Sequence, residues 1–337
     1  MIFIGVYLNL KPFEKTVIGI LGCCCVVLFL VAASKIQGMS YQSPKARFTT
    51  ASIDADLDIS DEYRSSKDRK YKKSKYITVN DLDQKFTLLN YNFRNILDDG
   101  ATVPRILVLN MPHDIRDIKT PVHRKRVFFK TVLPLVLEAN KLILRDRQRI
   151  LKIKHQKVKT GKVSVVDKLW LAVISEKYKI KQDDFSLILR HVDIIPPSMA
   201  LAQAAEESGW GTSRFVLEGN ALFGQYTFGN QYSLVPKERD AGKAHSIRTF
   251  ASLLEAVRSY AHNLNTHRAY KKFRTVREIM RQNGREITGN KLIAQLTNYS
   301  ERGKKYINTI RSIINVNRLN NLDKKKLQAD FIITRQP

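Results

Sequence analysis

The apolar positions of this chain change period several times. Val17 to Ser34 is an unbroken run of eighteen residues without a charge, with Lys11 and Lys15 before it and Lys35 after it. That is close to the length that crosses hydrocarbon, so the run is expected to enter a membrane. Small residues at Val31-Ala32-Ala33 offer a cleavage site, which leaves two outcomes: an uncleaved single-pass anchor, favoured by the length of the run, or a removed leader and a secreted protein. From Gln37 to Lys75 the apolar period disappears. An acidic block (Asp54, Asp56, Asp58, Asp61, Glu62) precedes a basic one (Arg64 to Lys75), the composition of a solvated tether.

Periodicity returns near Tyr76. Val103 to Leu109 reads as a short extended segment. After Thr120-Pro121, apolar residues recur at three- and four-residue spacing through Val127, Leu133, Val136, Leu137, Ile143, Leu144 and Leu151, which predicts a long helix with Pro134 as a candidate kink. Val165 to Tyr178 and Asp184 to Arg190 read as further helices. Ile194 to Phe223 opens on two prolines, continues as an Ala-rich helical run, and reaches Ser208-Gly209-Trp210-Gly211, where the glycines end the helix. Phe223 to Phe250 interleaves Gly, Tyr, Phe, Ser and Val, the pattern of a small hairpin lobe. Helix resumes at the capping-box sequence Ser252-Leu253-Leu254-Glu255. Two more helices are expected over Lys291 to Leu296 and through Tyr306, Ile310, Ile313 and Ile314. The pattern divides the chain into a membrane segment (1–36), a charged linker (37–75), a helical region (76–190), a domain with a small β lobe (191–318) and a polar tail (319–337). The class is α+β, mainly α.

Charge alters the picture of partners. Residues 101–320 carry 40 Lys and Arg against 18 Asp and Glu, so most of the formal +27 belongs to the folded region. A field of that sign draws a protein to a polyanion, whether nucleic acid, anionic membrane or a carboxylate- and phosphate-rich wall polymer. No phosphate loop or nucleic-acid fingerprint accompanies it, which favours the wall polymer over nucleic acid. The three cysteines are consecutive, Cys23 to Cys25, inside the apolar run, so the rest of the chain has no thiol for a disulfide, metal site or nucleophile. The seven histidines show no metal-ligand spacing, and no Ser-centred nucleophile elbow is present. The expected chemistry needs neither metal nor cofactor.

The candidate chemistry lies at the end of the Ala-rich helix. There Glu206 and Glu207 are delivered beside an indole, where a partly apolar cleft wall would keep one of them protonated near neutrality, as a general acid must be. The segments Ala205 to Ser213 (AEESGWGTS), Asn220 to Gly224 (NALFG), Phe250 to Val257 and Asn263 to His267 together resemble glycoside hydrolase family 73, the bacterial N-acetylglucosaminidases. Val103-Pro104-Arg105 and Leu133 to Leu137 are similar to its Bax-like branch. The resemblance implies a lysozyme-like fold, with an α lobe and a small β lobe flanking a glycan cleft. It also implies cleavage of the β-1,4 bond between N-acetylglucosamine and N-acetylmuramic acid in peptidoglycan strands. By the family motif Glu207 is the acid, with Glu206 a solvated or ion-paired neighbour. The second carboxylate belongs to the β lobe, where Glu238 is the first candidate and Asp240 the second. Tyr299, in Asn298-Tyr299-Ser300, would hydrogen-bond substrate near the scissile bond. Trp210, Asn220, Phe223 and Tyr306 are the candidate sugar contacts. Of these, Phe223 reads better as core, because apolar aromatics at helix boundaries more often are, and Trp210 stays open between core and stacking platform. Two rivals remain: a lytic transglycosylase of the same fold, and a non-catalytic wall-binding protein.

Overall fold

A computed structural model of the 337-residue chain describes residues 77–333 except 99, 181–183, 228–232 and 235–245. The apolar run at Val17 to Ser34 and the charged tether lie outside the described residues. Among the described residues no helix is long and apolar enough to cross a membrane.

The described part is mostly helical. Helix α1 (Val79–Leu88) starts at a capping box, in which Thr78 Oγ1 accepts from the Asp81 N–H and the Asp81 carboxylate accepts from the Thr78 N–H. The short helix α2 (Phe93–Asp98) and strand β1 (Val103–Leu107) follow. Helix α3 (Pro121–Thr160) is the axis of the fold. Pro121 starts it at the first position, and Gly161 ends it in the left-handed region. Every residue from Val127 to Asn140 is buried, so this stretch is enclosed on all sides and not on one face. Its later part, from Lys141, is amphipathic. Pro134 lies within the helix and does not end it. Arg105 on β1 grips the buried Glu138 of α3 through two bonds of 2.8 and 2.6 Å, which aligns the strand with the axis.

Helices α4 (Val165–Tyr178) and α5 (Phe185–His191) are capped by Ser164 and Asp184, close to the predicted limits. Next come α6 (Pro197–Ser208) and α7 (Arg214–Gly219). The small lobe is a three-stranded antiparallel sheet of β2 (Tyr226–Thr227), β3 (Ser233–Leu234) and β4 (Ser246–Arg248), with β4 in the middle. Tyr226 pairs with Ile247 and Ser233 with Arg248. Helix α8 (Leu253–Thr266) begins where Ser252 accepts from the Glu255 N–H. The Glu255 carboxylate reaches the N–H of Ala251, one residue earlier than in a standard box.

Three expectations change. Lys271–Gln282 is a further helix, α9, whose inward positions are held by Arg274 and Arg277 beside Phe273 and Met280. Charged residues on its buried face hid the apolar period. The expected helix at 291–296 is a single turn, α10 (Gly289–Leu292), continued by a 3-10 turn at Ile293–Gln295. The expected polar tail is part of the fold. After α11 (Lys304–Val316), Leu319 and Leu322 are fully buried, and β5 (Leu327–Ile333) pairs in parallel with β1. The register of that pair shifts between Val103 and Arg105, where Pro104 has no N–H to give the ladder.

Candidate active site

Helix α6 is fixed at its start by residues from three distant segments. The turn before it carries Asp193, which burial alone would make harder to ionise. Arg281 (2.6 and 2.7 Å), Arg277 and Arg147 outweigh that effect and hold its carboxyl below the usual range. The fully buried Arg277 donates to the carbonyls of Arg190, Asp193 and Ile194. Asn140 of α3 bonds both the N–H and the C=O of Ile195, at 3.0 and 2.7 Å, as a neighbouring strand would. Asp323, from the segment after α11, accepts from the N–H and hydroxyl of Ser198 at 2.8 Å each and from the Gly289 N–H at 2.9 Å. Pro197 takes the first helical position, where no N–H is needed.

The other end of α6 is a sharp turn. Gly209, Trp210 and Gly211 all have positive φ, of 56, 59 and 82°. Glycine is required at Gly211, since a Cβ there would lie 3.1 Å from Phe128 and 3.2 Å from Met111. Ser208 locks the turn: its hydroxyl donates to the Ala204 carbonyl at 2.6 Å and accepts from the Gly211 N–H at 2.9 Å. The Ser-Gly-Trp-Gly signature is thus a device that stops the helix one residue after Glu207.

Glu207 therefore sits in the last turn of α6, where the helix dipole disfavours a negative charge. Burial raises its pKa, a hydrogen bond from Tyr306 opposes the rise, Glu206 adds to it and Arg302 subtracts. The net direction is upward, as a proton donor requires. Glu206 is ion-paired with Arg302 at 2.6 Å. Across from the acid, a Cβ on Gly224 would lie 4.0 Å from Glu207 Oε2, so the carboxylate faces the first residues of the β lobe.

Around Glu207 is a group of tyrosines that the sequence reading only partly identified. Tyr306 is nearly fully buried, and its ring stacks on Tyr299 at 5.5 Å. Tyr299 in turn meets Tyr260 edge-on at 6.5 Å and Tyr270 at 6.1 Å. Phe223 stacks flat on Tyr260, with centroids 3.9 Å apart, and is only 4% exposed. It is a core residue, which takes it out of the set of sugar contacts. Tyr306 touches the acid itself. Asn220 is also buried, at positive φ, and its Nδ2 bonds Asn110 at 2.9 Å and the Phe250 carbonyl at 3.1 Å. Its amide ties two loops together. Trp210 packs edge-on against Phe128 and Phe129, with Lys125 4.7 Å over its ring, so α3 takes up part of the indole. Glu238 and Asp240 lie outside the described residues. Among the described residues no group of three or more His, Cys, Asp or Glu is gathered as a metal ion would need. Gln203, buried one turn before Glu207, was missed by the sequence reading. A polar side chain in an Ala-rich apolar helix, four residues before the acid and so on its face, was the available signal.

Residues 183–319 match the glucosaminidase family, described as mannosyl-glycoprotein endo-beta-N-acetylglucosaminidase. The Escherichia coli K12 protein Bax is 34% identical over 201 residues, which is 58% of this chain and 70% of that protein. Two solved structures are similar at lower levels. The catalytic domain of the autolysin Auto from Listeria monocytogenes is 20% identical, with a TM-score of 0.30 over 51% of this chain and 97% of that one. A C-terminally truncated glycoside hydrolase domain of Salmonella typhimurium FlgJ is 20% identical, with a TM-score of 0.28 over 45% of this chain and 92% of that one.

Proposed function

This chain belongs to the glucosaminidase family as a Bax-like member, and on that premise we propose that it is a peptidoglycan hydrolase that cleaves the β-1,4 bond between N-acetylglucosamine and N-acetylmuramic acid with Glu207 as general acid. The observation that carries the reading is the environment of Glu207. It is a desolvated carboxyl at the end of a helix, facing the β lobe, with a tyrosine hydroxyl directed at it. Such a group keeps its proton to higher pH than a solvated carboxyl does, can give it to the leaving oxygen, and is left as an anion that already has a hydrogen-bond donor. The second carboxylate in this reading is Glu238, or failing that Asp240, acting from the other face of the sugar. The excess of Lys and Arg over 101–320 suits a substrate whose peptide stems carry carboxylates and whose associated polymers carry phosphates.

Digestion of purified peptidoglycan with fragment analysis by mass spectrometry tests the proposal. The expected products end in reducing N-acetylglucosamine, and Glu207→Gln should lower the rate by about 10²- to 10⁴-fold. Glu238→Gln should be the more damaging of the two β-lobe substitutions. Anhydromuramic ends would identify a lytic transglycosylase instead. Full activity in Glu207→Gln would remove Glu207 from the chemistry.

A further inference from the structure

Gln203 and Glu207 lie four residues apart on α6, and between them stands the Tyr306 hydroxyl. Gln203 is fully buried and both ends of its amide are occupied. Oε1 accepts from the Tyr260 hydroxyl at 2.7 Å, and Nε2 donates to the Tyr306 oxygen at 2.9 Å. A phenol has one proton. Since the Tyr306 oxygen already receives the amide N–H, its own proton points away from Gln203 and onto Glu207, with which it is hydrogen-bonded. In the structure the amide oxygen faces Tyr260 and accepts from its hydroxyl, which leaves the NH2 for Tyr306. With the amide reversed, Tyr306 would donate to Gln203 and present a lone pair to the carboxyl.

We propose that Gln203 is a positioning residue for the catalytic acid: its amide, oriented by Tyr260, directs the Tyr306 hydroxyl proton onto Glu207 and so stabilises the carboxylate formed when Glu207 protonates the leaving oxygen. The inference rests on the reading of Glu207 as general acid. The bond is worth more to the anion than to the neutral acid, so it grows as the proton leaves, the condition for an interaction to lower a barrier. It also sets how far burial can raise the acid. The other groups facing Glu207 are Glu206 on its own helix, Arg302 before α11, and the rings of Tyr260, Tyr270 and Tyr299. Arg302 is taken up by Glu206 and by the Thr309 hydroxyl, so Tyr306 is the hydrogen-bond donor to the acid.

The test uses the full chain on purified peptidoglycan, with pH profiles of kcat/KM and melting curves for Gln203→Met, Tyr260→Phe and the double variant. Gln203→Met keeps the side-chain length and removes both bonds. It should lower kcat about tenfold with KM little changed, a loss on the scale of one polar interaction made in the transition state. The alkaline limb should move to higher pH, because the anion of Glu207 has lost its directed donor. Tyr260→Phe should shift the limb in the same direction with a smaller loss of rate. The double variant removes the hydroxyl that Gln203→Met leaves without an acceptor. It should recover melting temperature while keeping the low kcat and the displaced limb. A purely structural Gln203 would behave otherwise, with rate and profile recovering together with Tm, and that result overturns the proposal. So does a Tyr260→Phe enzyme whose rate and profile superimpose on the wild type, which keeps the test decisive if Gln203→Met does not fold. Full activity in Glu207→Gln would instead overturn the acid assignment itself.

Discussion

Asp323 anchors the start of the helix whose other end carries Glu207, and it does so at a cost that depends on pH. Burial, with a smaller contribution from Glu286, raises its pKa from 3.8 to about 6, although three hydrogen bonds from Gly289 and Ser198 oppose the rise. Between about pH 4 and 6 the folded chain therefore still holds a proton that the unfolded chain has released. The folded state binds more protons over that window, so stability falls as pH rises through it and levels off above it. A displacement of about two pH units at ~1.36 kcal/mol each gives on the order of 3 kcal/mol, an upper figure because the carboxyl keeps some contact with water. Asp323→Asn keeps the shape and one acceptor but cannot ionise. The assay is denaturant unfolding of wild type and variant at half-unit steps from pH 4 to 7, with the difference between the two curves as the readout, since other titrating groups cancel in it. The variant should gain on the wild type by on the order of 3 kcal/mol across the series, equivalent to roughly 6–12 °C in Tm for a fold of this size. The absolute offset at low pH should favour the wild type, because the Asn NH2 cannot accept from the Gly289 N–H. A difference that stays flat within about 0.5 kcal/mol would refute the reasoning, since it would mean that the site solvates the charge as well as the unfolded chain does.

Two glycines give further tests. A Cβ on Gly289 would lie 2.2 Å from Ser198 Oγ and 2.8 Å from the Met199 nitrogen, so Gly289→Ala must push the first turn of α6 aside. It should cost about 2 kcal/mol or more in denaturant unfolding, and its effect should not add to that of Asp323→Asn, because the two share Ser198. Gly224 has a φ of +57°, and a Cβ there would reach the outer van der Waals limit of Glu207 Oε2. Gly224→Ala should lose only about 1 kcal/mol of stability while kcat/KM on peptidoglycan falls by about tenfold, as added bulk beside the acid disturbs the approach of the sugar. Equal and small losses in both measurements would place the glycan away from Gly224.

The placement of Glu207 at a helix end was legible because its signature is local. Two prolines, an Ala-rich run and Ser-Gly-Trp-Gly specify where α6 begins and stops, and the stop is what exposes Glu207. What holds α6 in place was not legible, because those contacts join residues far apart in the chain through polar groups in apolar positions. Asp323 looked like part of a polar tail, yet it caps a helix 125 residues earlier. Arg274 and Arg277 broke the apolar period of α9 and concealed a whole helix, although Arg277 is fully buried and spends its donors on the carbonyls around Asp193. In the distinctive Asn-Ala-Leu-Phe-Gly motif, Phe223 is buried as its better reading had it, and Asn220, a candidate substrate contact, is buried too. A motif residue can be distinctive because it builds the site without touching the substrate, and Gln203 extends that argument. Its polarity in an apolar helix is explained neither by solvation nor by contact with sugar, only by the two tyrosine hydroxyls on either side of it, one of which reaches the acid.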